Sequence, residues 1–475
     1  MVKKEDAGVV QVVKNIWLED VPSYANKFFY SLGFFSMICL VLLIITGIIL
    51  VFFGPNWWLT TRAGLLIRSI HLWSVQALVV FMILHMLIVF FTGGYRPPRQ
   101  LVWILGALML FLSLMEAEFG YVLRNDFSSQ WRSLQGADFY NGSGMGIVIN
   151  NLNYAQIYGI HVVVIPLLII ALLFLHYALI RLRGIAKPYK KDVSYRIVKA
   201  NHTLLFFRGF VLICVIILLA VIFPSPMIEP VTIQQVATQD PSLMAITLIS
   251  ETDHSSDTAT YMDNIDPYQF NTRKVFVEYP YKKYLAINRT APDMMRLFLN
   301  EDKQTQNKMI KSATAYFTVH NKLTTAPDTK NPLIPVISSL VFMGQSGLYE
   351  ASLQQEATTQ YNPTYVLRFL SDTGVLEDKA NDLTITTPQY GMLREEKGAI
   401  PPGAWWLAPL GVMDNTILQN DPNQDRDGAE IAGIFMLLVL AFPYIPFLND
   451  LPDKLGIYKI IWKDKKGSKS KPMSN

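Results

Sequence analysis

Six long apolar runs are the feature that most limits the folds open to this chain of 475 residues. A helix needs about 20 apolar residues to cross the hydrocarbon core of a bilayer. The runs that reach or approach this length are 28–53, 70–91, 101–121, 157–180, 203–223 and 429–447. With 51% hydrophobic residues, the chain is also more apolar than an ordinary soluble protein. The sequence therefore predicts an all-α integral membrane protein with six spans.

Basic residues indicate the direction in which the spans run. Lysine and arginine are enriched in the cytoplasmic loops of membrane proteins. The four most basic segments precede the first span, join the second to the third, join the fourth to the fifth, and form the tail "KDKKGSKSK". All four fall on one side. We therefore expect a multi-pass protein of the cell (inner) membrane, with both termini in the cytoplasm and the long segment 224–428 on the external side.

The cysteine pattern and the net charge argue against several kinds of site. The two cysteines, Cys39 and Cys214, lie inside apolar runs, where they are ordinary small core residues. No CxxC or CxxCH pattern occurs, which argues against covalently attached haem, iron–sulfur clusters and zinc–thiolate sites. The net charge of +4 is modest, and we expect no nucleic-acid partner.

Four histidines lie inside the second and fourth spans: His71, His85, His161 and His176. Fourteen residues separate the first two, which places them about 21 Å apart along a helix and on roughly the same face. The other two are fifteen apart and do nearly the same. Both helices run from outside to inside, so each level of the membrane receives one histidine from each helix.

Matched histidines at two levels predict two b-type haems with bis-histidine ligation, since neutral imidazole is a standard axial ligand of haem iron. His71 and His161 would hold the outer iron, and His85 and His176 the inner iron. A hydrogen-bonded core residue is the ordinary explanation of one intramembrane histidine, but four at matched levels argue against it.

Two pairs of glycines show the same fourteen-residue interval as His71 and His85. Gly33 and Gly47 in the first span, like Gly106 and Gly120 in the third, are fourteen residues apart. Glycine lets a bulky group approach the backbone closely, so these positions predict clefts for two flat rings. Glycine is also common where membrane helices meet, and one pair alone would be weak evidence. Two arginines near the membrane surfaces are candidate partners of haem propionates, with solvated flanking charge as the alternative: Arg68 and Arg99.

These residues carry a resemblance to cytochrome b of quinol–cytochrome c and quinol–plastocyanin reductases. "LIRSIHLWSVQALVVFMILHMLIVFFTGGYRPPRQLVWILG" resembles its second and third helices, and "GIHVVVIPLLIIALLFLHYALIRLRGIAKP" its fourth. "VIFPSPMIEP" resembles the end of its fifth helix, and "AEIAGIFMLLVLAFPYIPFL" a helix of its C-terminal half. The resemblance implies quinol oxidation near the outer haem and quinone reduction near the inner one. It also implies a homodimer with Rieske and c-type cytochrome subunits as partners.

The chain departs from this family mainly on the outer face. The family's Pro-Glu-Trp-Tyr-like quinol motif corresponds to "PPGAWWLAPLG", where Pro402 is followed by Gly403 and no carboxylate stands. Arg124 begins the pair that replaces the family's Pro-Trp, and Gln156 stands where an arginine is expected. Ser31 replaces the cysteine that holds an extra haem in the chloroplast-type protein, so no covalent third haem is expected. These departures predict that outer quinol oxidation is changed or lost.

Glu116 and Glu118 keep an alternative open. They lie near the outer end of the third span, where an ionisable group is costly and often functional. Either could replace the missing acid as the catalytic proton acceptor. Alternatively, both could pair with Arg124 or Arg132 in an ordinary interfacial network.

The expected organisation is a four-helix di-haem bundle, two further transmembrane helices and an inserted hydrophilic external domain of unknown fold. The apolar stretch "NPLIPVISSLVFMGQSG" in the insert is too short to span and is expected to form a buried core element. The predicted parts are an amphipathic cytoplasmic segment (1–27), the bundle (28–181), a loop with the fifth helix (182–235), the insert (236–400), the altered quinol-site segment with the last helix (401–447) and a basic tail (448–475).

The predicted function is transfer of electrons across the membrane between the quinone pool and a redox partner, as a subunit of a respiratory complex. Two alternatives remain at this point. One keeps full quinol oxidation at the outer site with a substitute acid. The other is a non-catalytic haem-bearing scaffold whose insert docks further subunits.

Overall fold

The computed structural model describes residues 20–186, 195–260, 271–319, 330–360, 364–383, 385 and 403–462. Most of the predicted amphipathic segment, Pro402 and the part of the basic tail from residue 463 onward lie outside these ranges. Within them, the chain is helical apart from a short antiparallel sheet of two strands, β1 (Asp20–Pro22) and β2 (Ile197–Lys199). The sheet pairs Asp20 with Lys199 and so joins the start of the first span to the loop before the fifth.

The described ranges contain six helices long and apolar enough to cross a membrane, as predicted. They are α1 (Leu32–Thr60), α2 (Arg62–Phe91), α3 (Gln100–Val122), the joined pair α5 (Tyr154–Gly159) and α6 (Ile165–Arg183), α7 (His202–Ile222) and α18 (Gln424–Ala441). A further helix, α4 (Phe127–Gly142), follows α3. Helix α1 packs on α2, α3 packs on α6, and α2 contacts α3, so these helices form one bundle. Helix α7 lies against α2, and α18 lies against α3.

Shorter helices complete the described chain. Between the fifth and last spans these are α8 (Ile233–Gln239), α9 (Pro241–Asp253), α10 (Tyr279–Ile287), α11 (Met294–Leu299), α12 (Lys303–Val319), α13 (Leu333–Gln345), α14 (Leu348–Gln360), α15 (Tyr365–Asp372) and α16 (Val375–Asp382). Around the last span these are α17 (Ala408–Asp414), α19 (Pro446–Asn449), α20 (Leu451–Leu455) and α21 (Tyr458–Trp462).

The first two spans extend beyond the predicted runs at the ends that adjoin each other in sequence, the end of α1 and the start of α2. Helix α1 continues past a kink at Gly54, which has a φ of 74° and precedes Pro55. Helix α2 begins at Arg62, eight residues before its apolar run. Its start is capped by Thr61, whose hydroxyl accepts a hydrogen bond from the Gly64 amide at 3.0 Å. Hydropathy misses these eight residues because it counts their arginines as polar, whereas Arg68 is buried.

The fourth span is not a uniform α-helix. A π-helical turn, Ile160–Val164, joins α5 to α6, and the Ile165 amide bonds to the Ile160 carbonyl five residues back. Pro166 is the second residue of α6. Its ring lacks an N–H and clashes with the carbonyl four residues earlier in a regular α-helix, which accounts for a wider turn at this point.

The described part of the predicted insert is a helical layer, α8 to α16, around one apolar core. Helix α13, within "NPLIPVISSLVFMGQSG", supplies Leu333, Val336, Ile337 and Leu340, all fully buried, so the predicted buried core element is confirmed. Phe127, at the start of α4, belongs to the same core. The helical layer therefore packs directly on the end of the membrane bundle.

Candidate functional site

The outer-level histidines face each other across the bundle. His71 lies on α2 and His161 in the π-helical turn, with ring centroids 6.4 Å apart and planes at 69°. A metal ion lies about 2 Å from an imidazole nitrogen, so two rings on opposite sides of one ion have centroids about 6 Å apart. The observed separation fits a single ion between the two rings.

Hydrogen bonds fix the same tautomer in both rings. Thr46 Oγ1 lies 2.8 Å from His71 Nδ1 and donates its own proton to the Leu42 carbonyl at 2.7 Å, so it accepts from the ring. His161 Nδ1 faces two acceptors, the Glu116 carboxylate at 3.0 Å and the Glu116 backbone carbonyl at 3.1 Å. Since Nδ1 carries the proton in both rings, each Nε2 keeps a lone pair for a metal.

Each of the four candidate glycines lies next to one histidine at its own level. A Cβ added to Gly47 would lie 3.5 Å from His71, and one added to Gly120 would lie 3.0 Å from His161. At the inner level, a Cβ on Gly33 would lie 3.1 Å from His85, and one on Gly106 would lie 3.4 Å from His176. The structure therefore brings the glycine pairs and the histidine pairs together. The glycines of α1 lie beside the histidines of α2, and the glycines of α3 lie beside the histidines of the fourth span.

The π-helical turn explains the unequal histidine spacings. An α-helix turns by about 100° per residue, so fourteen and fifteen residues would leave the two pairs in different rotational registers. A π turn accommodates one extra residue within the helix. The fifteen-residue interval from His161 to His176 contains this turn, so it matches the fourteen-residue interval of α2. The signal of this turn in the sequence is Pro166, which follows the first histidine of the span by five residues.

The two candidate arginines make different contacts. Arg68 is 6% exposed and donates to Asp126 at 2.8 Å, and Arg124 forms an ion pair with the same carboxylate at 2.9 Å. At the inner surface, Arg99 donates to the backbone carbonyls of Arg183 and Gly184, at the end of α6. Arg124, which replaces the family's proline, is therefore part of a buried charge cluster at the outer end of the bundle.

Glu116 and Glu118 point to different surroundings. Glu116 lies four residues before Gly120, on the same face of α3, and contacts His161 rather than Arg124 or Arg132. Glu118 lies on another face and interacts with Tyr140, whose pKa is raised by burial and further by the Glu118 charge. In the part of the chain that the structure describes, one carboxylate oxygen of each, Oε2, is buried without a hydrogen-bond partner. The expected pairing with arginines is not what the structure shows for Glu116.

The altered quinol-site segment packs against the bundle. Trp405 Nε1 donates to Gln76 Oε1 at 2.8 Å, and Gln76 Nε2 donates to the Gly403 carbonyl at 3.1 Å. Trp406 packs with Tyr121 of α3 in an apolar cluster that Trp405 also joins. Sequence reasoning missed Gln76, although a buried glutamine on an apolar helix is itself a signal of a specific partner. Gln156, the other altered position, holds the loop before α5 through the Asn150 amide and the Val148 carbonyl.

Within the described residues, no three histidine, cysteine, aspartate or glutamate side chains converge to hold a metal ion. Two imidazoles suffice for a metal whose other ligands come from elsewhere, as the four ring nitrogens of haem do. Facing imidazoles with free Nε2 lone pairs, flanked by positions without a Cβ, fit a planar macrocycle at the outer level.

Known proteins resemble this chain mainly over the bundle. The family model described as cytochrome b (N-terminal)/b6/petB matches residues 76–230. Cytochrome b6 of Heliobacterium modesticaldum is 32% identical over 203 residues, which cover 38% of this chain and 95% of that protein. Cytochrome b6 of Acaryochloris marina is 28% identical and is covered to 96%, with 39% of this chain. A solved structure of a hyperthermophilic respiratory Complex III shares 18% identity at a TM-score of 0.37, covering 73% of this chain and 97% of its own.

Proposed function

The chain belongs to the cytochrome b family, and we propose that it is the di-haem subunit of a membrane respiratory complex. In this role it would carry electrons across the bilayer between the quinone pool and a redox partner. The observation that carries the proposal is the facing pair His71 and His161, with ring centroids 6.4 Å apart and both Nε2 atoms free.

The proposal assigns roles to the candidate residues. His71 and His161 hold the outer haem, and His85 and His176 hold the inner one. Gly47 and Gly120 at the outer level, and Gly33 and Gly106 at the inner level, leave room for the rings. Haem bound at these histidines would supply one-electron redox chemistry. Arg68 and Arg99 would pair with propionates, with Arg68 also bound to Asp126.

The same proposal covers orientation and partners. It places both termini in the cytoplasm and the helical layer outside, as the basic loops predict. The partners are the quinone pool, further subunits that could include Rieske and c-type cytochrome proteins, and a second copy of the chain. The direct packing of the helical layer on Phe127 supports a fixed external platform for such subunits.

Outer quinol oxidation in its usual form is the part that we propose to be changed. The described residues Gly403, Ala404, Trp405, Trp406 and Leu407 occupy the place of the family's acid-bearing motif and include no carboxylate. Quinol oxidation needs a base within hydrogen-bond reach of the quinol hydroxyl. One observation favours a second candidate, in which outer oxidation persists: Glu118 keeps a buried oxygen without a partner among the described residues and could serve as that base.

The deciding experiment adds quinol to membranes that contain the complex and follows haem b reduction, with and without a quinone-site inhibitor. Inhibitor-sensitive reduction supports an electron-transfer subunit, and its complete absence would leave the scaffold alternative. Glu118→Gln then separates the two candidates. If this variant reduces haem at the wild-type rate, Glu118 is not the substitute base.

A further inference from the structure

We infer that Glu116 is a positioning residue for the outer haem, and that its carboxylate lowers the midpoint potential of that haem. The inference rests on the proposed bis-histidine haem sites. It goes beyond them because it assigns control of one site's potential to a side chain that is not a ligand.

The geometry places the carboxylate on the ring nitrogen opposite the ligating one. Glu116 Oε1 lies 3.0 Å from His161 Nδ1, and both side chains are largely buried, with 18% and 20% exposure. Within the described residues, Oε2 of Glu116 has no hydrogen-bond partner, so His161 is its polar contact. The backbone carbonyl of Glu116 shares the same Nδ1–H and orients the ring.

A carboxylate in this position changes the ligand electronically. A hydrogen bond to an ionised acceptor is stronger than a neutral one, and it draws the Nδ1 proton away from the ring. The imidazole then becomes a more basic ligand, as in the carboxylate–histidine pairs of other metal sites. Negative charge held near the iron in a low-dielectric bundle also favours the ferric state, whose charge is higher. Both effects lower the midpoint potential of the outer haem.

Among the residues that the structure describes, the other three histidines have no carboxylate partner. His71 donates to the neutral hydroxyl of Thr46 at 2.8 Å. Across the described ranges, no carboxylate forms an ion pair with His71, His85 or His176. The effect of a carboxylate on a histidine is therefore expected at the outer level of the bundle and not at the inner level.

Redox titration of the purified complex, followed by haem b difference spectra, tests the inference. Glu116→Gln keeps the shape of the side chain and removes its charge. A tenfold change in the equilibrium ratio of ferric to ferrous haem corresponds to about 59 mV for a one-electron couple. We expect a rise of about this size or more in the outer potential, with the inner potential unchanged.

Glu118→Gln is the matched control, because it removes an equal charge two residues away without touching a histidine. Equal shifts in both variants would overturn the inference, as would an unshifted outer potential in Glu116→Gln with both haems bound. If Glu116→Gln loses the outer haem, Glu116→Asp is measured instead. Its shorter side chain places the carboxylate farther from His161, so the outer midpoint potential should again rise. Wild-type protein with fewer than two haems would instead contradict the proposed function.

Discussion

At the scale of single residues, Asp126 illustrates how this bundle tolerates buried charge. The carboxylate is fully buried and lies between Arg68 and Arg124, at 2.8 and 2.9 Å. It also caps α4 by accepting the Ser129 amide. Burying several charges is costly unless each is paired, so the cluster depends on the Asp126 carboxylate, which pairs with both arginines.

Asp126→Asn should destabilise the protein markedly while it keeps the cap of α4. Removing one partner of a buried ion pair costs about 3–5 kcal/mol, and the amide of the new asparagine would offer Arg68 and Arg124 no negative charge. Thermal unfolding of the purified protein measures this. Asp427→Asn is the control, since its ion pair with Arg426 is exposed and contributes little. Equal stability of the two variants would show that solvent already compensates the cluster.

Gly120→Val should remove the outer haem and leave the inner one. A Cβ at this position lies 3.0 Å from His161 Cε1, and the two further methyl groups of valine would occupy the space beside the ring. A pyridine haemochrome assay should fall from two haems per chain to one. Gly433→Val serves as the control, because nothing lies within 4 Å of a Cβ there. Retention of both haems in Gly120→Val would contradict the proposed cleft.

The polar partners of the histidines were harder to predict than the histidines. Four histidines at matched intervals follow from helix geometry alone, and the glycines follow from the same interval. Thr46 precedes Gly47, and Glu116 lies one turn before Gly120, so both sit beside the predicted clefts. Their contacts nevertheless depend on helix rotation and on rotamers, which a single sequence does not specify.

At the scale of helices, the π-helical turn determines the register of the outer site. It holds His161 at the level of His71 despite the extra residue in the fourth span. The sequence predicted the span but not this turn, because hydropathy is insensitive to a single inserted residue. The boundaries of α1 and α2 were missed for a related reason, since a kink at Gly54 and a buried Arg68 interrupt the apolar signal.

Pro166→Ala should allow a regular α-helix and rotate His161 by about 100° relative to His176. We expect loss of the outer haem, measured as haem per chain and by the disappearance of one redox transition. Deleting Val163 in the same variant removes the extra residue and should restore the outer haem. If Pro166→Ala binds both haems normally, the proline does not maintain the turn.

A carboxyl pair gives the helical layer a pH-dependent stability. Burial raises the pKa of Glu251 above its ordinary value of 4.5, and the neighbouring Asp372 raises it further. Glu251 is therefore protonated in the folded protein at neutral pH, whereas the unfolded chain releases that proton above pH 4.5. The free energy of unfolding should accordingly fall as pH rises from 4.5 through the raised pKa.

Glu251→Gln should flatten this dependence, because the amide keeps a donor toward Asp372 and does not titrate. The Tm of the purified protein, measured from neutral to alkaline pH, should decline more in the wild type than in this variant. Glu377→Gln, at an exposed position of α16, should behave like the wild type. Parallel curves for the wild type and Glu251→Gln would rule out the pair as the source.

At the scale of the whole molecule, the chain combines a family bundle with a helical layer that lies outside the match to the family model. The family model ends at residue 230, just before α8 begins. The sequence predicted a hydrophilic insert but not its helices, whose apolar positions are spread, in the described part, over nine short elements. Its core depends in part on contacts between distant segments, such as α9 with α12 and α8 with α13.

The count of haems per chain tests the central claim most directly. A pyridine haemochrome assay with a redox titration should give two b-type haems at separate potentials in the wild type. His71→Ala and His85→Ala should each bind one haem. The redox transition of the inner haem should remain in the first variant, and that of the outer haem in the second. One haem or none in the wild type, or the same remaining transition in both variants, would contradict a two-level histidine ladder.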